Sequence, residues 1–289
     1  MKREWISGYL FILPSLVLLA VLLFYPLVLT FIYSLSDMSL TATRYLGINA
    51  YQRLLASPML ARVLTNSLLW TVLVIIFQFI LGLSSAILLN RSFFGRTLVR
   101  GIVILPWVMP GVVAAMVWRL LYDPQLGMIN HYLRTLGIID RPLTWLSLPG
   151  LALYAVIIAA IWKGFPFSTL MYLAGLQTVP VELYEASEID GAGDWGKFFH
   201  VTLPSMRSII TITLLLTFIW TFNYFELVYV MTGGGPAESS HIFPTYIYDL
   251  GFRRFRFGEA SRFAVIDFII LLVFSLIYVR LSLKRGSME

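Results

Sequence analysis

Apolar residues along this chain are gathered into long runs separated by short polar stretches. A helix needs about 20 residues, at about 1.5 Å each, to cross a hydrocarbon layer of about 30 Å. Six runs reach that length: Gly8–Tyr33, Ser67–Leu89, Gly101–Leu121, Leu151–Leu173, Ser208–Met231 and Phe263–Leu281. The pattern therefore predicts six transmembrane helices. Lys2-Arg3 before the first run mimics a signal-peptide start. The run is too long for such a segment and no small-residue cleavage site follows it, so a retained helix is predicted.

Composition supports lipid as the main solvent. Hydrophobic residues make up 59% of the 289 positions and charged residues 12%, with a mean hydropathy of +0.83. Too few polar groups are present to cover an ordinary wet surface. The absence of cysteine removes disulfides, thiolate catalysis and Cys–zinc sites. The net charge of +6 contains no basic run of the nucleic-acid-binding kind, and anionic lipid head groups are the plainer partner for it.

Charge also bears on direction. Lys2 and Arg3 precede the first run, Arg91, Arg96 and Arg100 crowd the loop between the second and third, and Arg280, Lys284 and Arg285 end the chain. With six spans these all fall on one side, predicted to be cytoplasmic together with both termini. Ten arginines between Arg44 and Arg262 fall on the other side, mostly in longer loops where the charge rule is weak. Those loops, Leu35–Arg62, Tyr122–Pro149 and Thr232–Arg262, are too small for separate domains, and no fixed-period repeat or low-complexity linker is present.

Between the fourth and fifth runs lies an unusual acidic stretch. Glu182, Glu185, Glu188, Asp190 and Asp194 face Lys197 alone, a net −4 on the side where positive loops are the norm. Pro180 can open a helix there, the three glutamates at intervals of three align along one side, and Gly191 and Gly193 permit a sharp break. A solvated helix without a partner would also fit the charge. The spacing says more. Glu185-Ala186-Ser187, three residues, Gly191, nine residues, Val201, one residue and Leu203-Pro204 resembles the coupling loop of permeases in binding-protein-dependent ABC importers. Ser187 and Val201 are mild departures. Leu176-Gln-Thr-Val-Pro180, Tyr184, Ile189-Asp190-Gly191-Ala192 and Met231-Thr-Gly-Gly-Gly-Pro236 resemble the carbohydrate-uptake branch, the maltose-, lactose- and glycerol-phosphate-type permeases.

The resemblance implies an all-α membrane protein with the type I ABC importer permease fold and a cytoplasmic coupling helix between spans four and five. It covers roughly Val63 to Leu281. Residues 1–62 would then be an extra N-terminal helix with the first external loop, 63–281 the transport core, and 282–289 a cytoplasmic tail. Glu182, Glu185, Ala186, Ser187, Asp190, Gly191 and Ala192 would dock on an ATPase subunit, with Glu185 meeting a basic groove residue and Gly191 making the turn.

Gly191-Ala-Gly-Asp-Trp-Gly196-Lys197 formally matches a phosphate-binding loop. That motif requires Ser or Thr next and a strand before it. Position 198 is Phe, the preceding segment reads as helix, and Asp190 and Asp194 would repel a triphosphate. No cofactor is therefore expected in this chain, with ATP and Mg bound by partner ATPase subunits.

Polar residues inside hydrocarbon are costly and mark candidate sites. Thr217, Trp220, Thr221 and Tyr224 fall on one helical stripe of hydroxyls and rings, a combination that suits sugar recognition. Packing between helices would also use it. In maltose-type relatives the same stripe contacts substrate, which favours a pathway role. Lys163, Gly164 and Phe167 resemble substrate-lining positions. Lys163 could meet an anionic group of the solute, satisfy freed carbonyls or pair with an acid. Pro166 predicts a kink or break in span four, and Pro106 and Pro110 predict flexibility in span three. Asn223 and Glu226 lie off the stripe. His131, His200 and His241 show no catalytic or metal-ligand spacing and read as polar loop residues.

Together these features predict a multi-pass permease subunit of the bacterial inner membrane, without an ATPase site of its own. It would translocate a sugar or related polyol with a second homologous permease chain, two ATPases and an extracytoplasmic solute-binding protein. A permease for a non-carbohydrate or anionic solute is the alternative. An ion-coupled secondary transporter would need inverted repeats and intramembrane carboxylates, and the centres of the runs hold almost no acid besides Asp267. A membrane hydrolase would need a clustered His/Asp/Glu or Ser/His set, which is absent.

Overall fold

The computed structural model describes residues 2–286, with side chains described over 11–280. The expected tail 282–289 and the charges of Lys2, Arg3, Lys284 and Arg285 lie outside the described side chains. Among the described residues, five helices are long and apolar enough to cross a membrane, and six spans result if a bent pair is counted as one.

The chain forms two units. The first comprises residues up to 61 together with 246–273. It opens with α1 (Lys2–Leu19), a π-helical stretch (Ala20–Phe24) and α2 (Tyr25–Ser34). The most apolar window of this first span buries none of its side chains, so its whole circumference is free to meet lipid or another chain. A hairpin of β1 (Ser36–Met38) and β2 (Thr43–Tyr45) pairs Ser36 with Tyr45, and α3 (Asn49–Leu55) follows. Buried Arg262 holds the hairpin by donating to Ser36 O at 3.0 Å and pairing with Asp37. Buried Asp249 pairs with Arg253 and Arg254. Arg253, Arg254 and Arg262 are thus engaged within the fold.

The second unit comprises 62–245 and the chain from 274. Its helices are α4 (Pro58–Asn90), α5 (Arg96–Val108), α6 (Gly111–Leu121), α7 (Met128–Thr135), α8 (Ala152–Leu176), α9 (Val181–Ile189), α10 (Asp194–Lys197), α11 (Leu203–Ser205), α12 (Arg207–Phe222) and α13 (Glu226–Met231). Two further helices, α14 (Phe243–Tyr248) and α15 (Phe257–Gly286), run through both units. Lipid gives helices no hydrophobic reason to associate, so small residues that allow close approach matter more. Ala114 and Ala115 of α6 and Ala155 and Ala159 of α8 are buried in one cluster with Trp70, Val74 and Leu227. A second cluster gathers Leu83, Ala86 and Leu89 of α4 with Tyr172 and Leu176 of α8.

Three expectations about the spans change. Pro166 neither breaks nor ends α8, which runs unbroken over 25 residues. The break falls instead in span three, where α5 and α6 meet at 98°. Met109 and Pro110 there have extended ψ values of 133° and 140°. The residue before a proline is pushed out of helical geometry, and at Pro110 the chain follows that preference. Span five is also interrupted, over 223–225. The Asn223 side chain donates to Ile219 O at 3.2 Å, and the Asn223 backbone amide reaches the same carbonyl at 3.4 Å. An asparagine that competes for the helix's own acceptor ends the helix. His241, expected as a polar loop residue, is buried, with its ring against Gly234 and Nδ1 3.2 Å from Thr245 Oγ1.

Gly82 lets α4 and α8 approach closely, since a Cβ there would lie 2.6 Å from Ser168 Cβ. Gly82→Leu is expected to destabilise the fold by about 1–3 kcal/mol through overpacking, measured as a lower thermal transition of the detergent-solubilised chain.

Candidate functional site

Four segments of the second unit enclose a cavity of about 140 Å³. Trp70, Val74 and Gln78 of α4 stand one turn apart on one face. Ala160, Lys163, Gly164 and Phe167 do the same on α8, and Thr217, Trp220 and Thr221 on α12, with Tyr224 in the interruption that follows and Trp107 from α5. The structure brings together all seven residues of the expected pathway, Lys163, Gly164, Phe167, Thr217, Trp220, Thr221 and Tyr224. The sequence reading missed Trp70, Val74, Gln78, Trp107 and Ala160. Gln78 carried a signal, being a polar side chain inside an apolar run.

The wall is aromatic with polar insets. Phe167 packs edge-on to Trp220 at 4.9 Å between ring centroids and lies 5.9 Å from Trp107, while Trp70 stacks on Tyr224 at 6.4 Å. Two polar contacts fix the frame. The Trp70 indole donates to Thr221 O at 2.8 Å, a carbonyl at the end of α12 that the interruption leaves to shorter-range partners. Gln78 donates to Ala160 O at 3.1 Å, and Gly164 admits the amide, since any Cβ at 164 would overlap it. Thr217 Oγ1 and Tyr224 OH are enclosed and make no hydrogen bond to described protein groups. Buried hydroxyls in folded proteins nearly always have partners, so these two leave hydrogen-bonding capacity unused at the cavity.

Lys163 does not point into open space. Its Nζ donates to Met109 O at 2.7 Å, the carbonyl at the break of span three. Glu226 opens α13 and lays its carboxylate against Gly111, the first residue of α6, where any Cβ would overlap Oε2. That carboxylate also acts electrostatically on the Lys163 ammonium.

The acidic stretch folds as helix, turn and helix. Pro180 precedes α9, and at its other end Ala192 N reaches Ser187 O at 2.9 Å while Gly191 N reaches Glu188 O at 3.0 Å. This pair of bonds is the Schellman closure. It needs a left-handed residue, and Gly191 supplies it at φ +78°. Tyr184 ties the stretch to Thr202 by a 3.0 Å hydroxyl contact, and Lys197 pairs with Glu188. Glu182, Glu185 and Asp190 are exposed and form no ion pair among the described residues, while Ser187 and Ala192 are half-buried. Ile189 and Trp195, 88% and 76% exposed, put apolar surface beside those acids. No group of three or more His, Cys, Asp or Glu is placed to hold a metal among the described residues.

Residues 78–285 match the family described as binding-protein-dependent transport system inner membrane component. A probable ABC transporter permease protein of Brucella suis is 38% identical, covering 96% of both chains. The trehalose/maltose transport system permease protein MalF of Thermococcus litoralis is 34% identical over 98% of this chain and 96% of its own. The fold superposes, with a TM-score of 0.83 and 25% identity, on a chain in the crystal structure of a bacterial ABC transporter involved in the import of the acidic polysaccharide alginate, covering 98% of this chain and 96% of that one. The chain belongs to the family of binding-protein-dependent transport system inner membrane components, the permeases of ABC importers.

Proposed function

We propose that this permease imports a sugar or related polyol through the aromatic and hydroxyl-lined cavity, driven by ATPase subunits that grip the 178–200 stretch. The observation that carries the cargo class is the cavity wall. Trp220, Phe167, Trp70 and Tyr224 offer flat apolar faces to C–H surfaces, and Thr217 and Tyr224 hold two unpartnered hydroxyls. Such a wall matches a molecule that is apolar on its ring faces and polar at its rim. The names of relatives agree, among them the trehalose/maltose permease and a sulfoquinovosyl glycerol transport system permease of Agrobacterium fabrum.

The work is divided between two regions. Glu182, Glu185 and Asp190 present charge, Ala186 and Ser187 lie on the same helix, and Gly191 with Ala192 fixes its end. An ATPase groove with a basic residue for Glu185 and an apolar floor for Ile189 or Trp195 would fit this surface. Closure of two ATPases would push the stretch as a rigid body and rock the bundle between inward- and outward-open states. ATP and Mg belong to those partners. A second permease chain would complete the pathway, since Trp107 and Trp220 are 44% and 49% exposed at the cavity. An extracytoplasmic binding protein would deliver cargo, with both termini of this chain in the cytoplasm.

Two measurements test this reading. The complex, captured through a tag on this chain and reconstituted in liposomes, should take up labelled trehalose or maltose only with ATP and binding protein. Uptake without ATPase subunits would overturn the importer assignment. Glu185→Lys, and Gly191→Asp with its side chain at a left-handed position, should each abolish ATP-driven uptake while the chain stays in the membrane. Full uptake in either variant would remove the docking role. Trp220→Ala is expected to raise KM about tenfold by loss of ring contact, and an unchanged KM would place cargo elsewhere.

A further inference from the structure

We infer that Lys163 and Glu226 are positioning residues that pin the break in span three, and that Lys163 is not a ligand for the cargo. The break between Val108 and Gly111 leaves two helix ends inside one span. The C-terminus of α5 has carbonyls without helical partners, and the N-terminus of α6 has amides without them. Within a membrane such groups must be satisfied by protein. Each end meets a side chain of opposite sign to its own dipole, brought from a different helix. Lys163 of α8 sets an ammonium on Met109 O at 2.7 Å, at the negative end of α5. Glu226 of α13 sets a carboxylate over Gly111, at the positive end of α6. Both placements lower the energy of the local dipole, and exchanging them would raise it.

Gly111 is part of the device. Any side chain at that position would displace the Glu226 carboxylate, and Tyr224 OH lies on the same spot, 3.3 Å from where a Cβ would stand. The pins therefore tie α5, α6, α8 and α13 together at the edge of the cavity that Lys163 and Tyr224 line. They also narrow the cargo, a step that rests on the sugar-import reading. With Lys163 committed to a backbone carbonyl and faced by Glu226, this chain's wall offers rings, hydroxyls and an amide but no uncommitted cation. That chemistry favours an uncharged polyhydroxyl compound over a carboxylated one.

The test uses the reconstituted complex carrying Lys163→Gln, Glu226→Gln, both together, or Lys163→Arg. Labelled trehalose, maltose and glucuronate serve as probes. Positioning predicts that each single Gln variant lowers turnover about tenfold, the scale of one hydrogen bond to a charged group, with KM for the neutral sugar unchanged. The double variant should be no slower than the worse single one, and Lys163→Arg should recover most of the rate. A Lys163→Gln change that raises KM while sparing turnover, or that selectively removes glucuronate uptake, would overturn the inference. So would additive losses in the double variant. Thermal unfolding of the wild-type, two single-Gln and double-Gln complexes without cargo gives an independent cycle. Coupling there with no sugar uptake would sink the sugar reading and leave the pins standing, whereas sugar uptake with no coupling would do the reverse. If Lys163→Gln does not accumulate, Lys163→Arg and Glu226→Gln decide the matter by the same split between turnover and KM.

Discussion

Backbone polar groups at membrane depth must find partners within the protein, and this requirement organises the second unit. An unbroken helix meets it by itself. At two departures from helix in this unit, a side chain from another helix donates to the backbone. At Met109–Pro110 the supplier is Lys163, with Glu226 at the facing end. At the interruption after Phe222 it is Trp70, whose indole N–H goes to Thr221 O. Both repairs lie on the cavity, because irregular backbone and an enclosed space require one another in lipid. The cavity is thus the place where the helices cannot be simple.

Much of this was legible in the sequence. Run length alone located the five long helices and the bent pair, since membrane thickness sets a length that few other constraints imitate. The acidic stretch was equally readable, because its turn depends on one residue type, a glycine at positive φ. The stripe from Thr217 to Tyr224 could be found because its polarity contrasts with the run around it. The location of the breaks was less legible. Pro166, Pro106 and Pro110 look alike in a sequence, yet only the last ends a helix, and it is at that break that a neighbour, Lys163, meets a backbone carbonyl. Lys163 was open to three roles for the same reason. Its partner is a backbone carbonyl 54 residues away, and backbone atoms carry no sequence signature. Val74 and Ala160 gave no signal at all, being apolar residues in apolar helices.

The two functional regions solve different mechanical problems. The cavity needs close helix packing with room to rearrange, which Gly164 and Gly111 provide by letting Gln78 and Glu226 approach backbone directly. For the proposed docking role the acidic stretch would need stiffness, because a soft connection would absorb motion instead of passing it on. Its Schellman closure, the Tyr184–Thr202 contact and the Lys197–Glu188 pair make a braced corner from about twenty residues. The same residue type thus gives clearance in one region and a fixed angle in the other.

Ile189 and Trp195 are held almost fully out of the fold by that corner. Covered by an ATPase as proposed, they would anchor a joint. Uncovered, they are the kind of greasy protrusion that chaperones and proteases recognise on unassembled subunits. A cell making this chain in excess of its partners would therefore accumulate a polypeptide marked for disposal by the feature that makes it useful. Matched synthesis of the subunits is, on this view, a requirement written into the shape of one short loop.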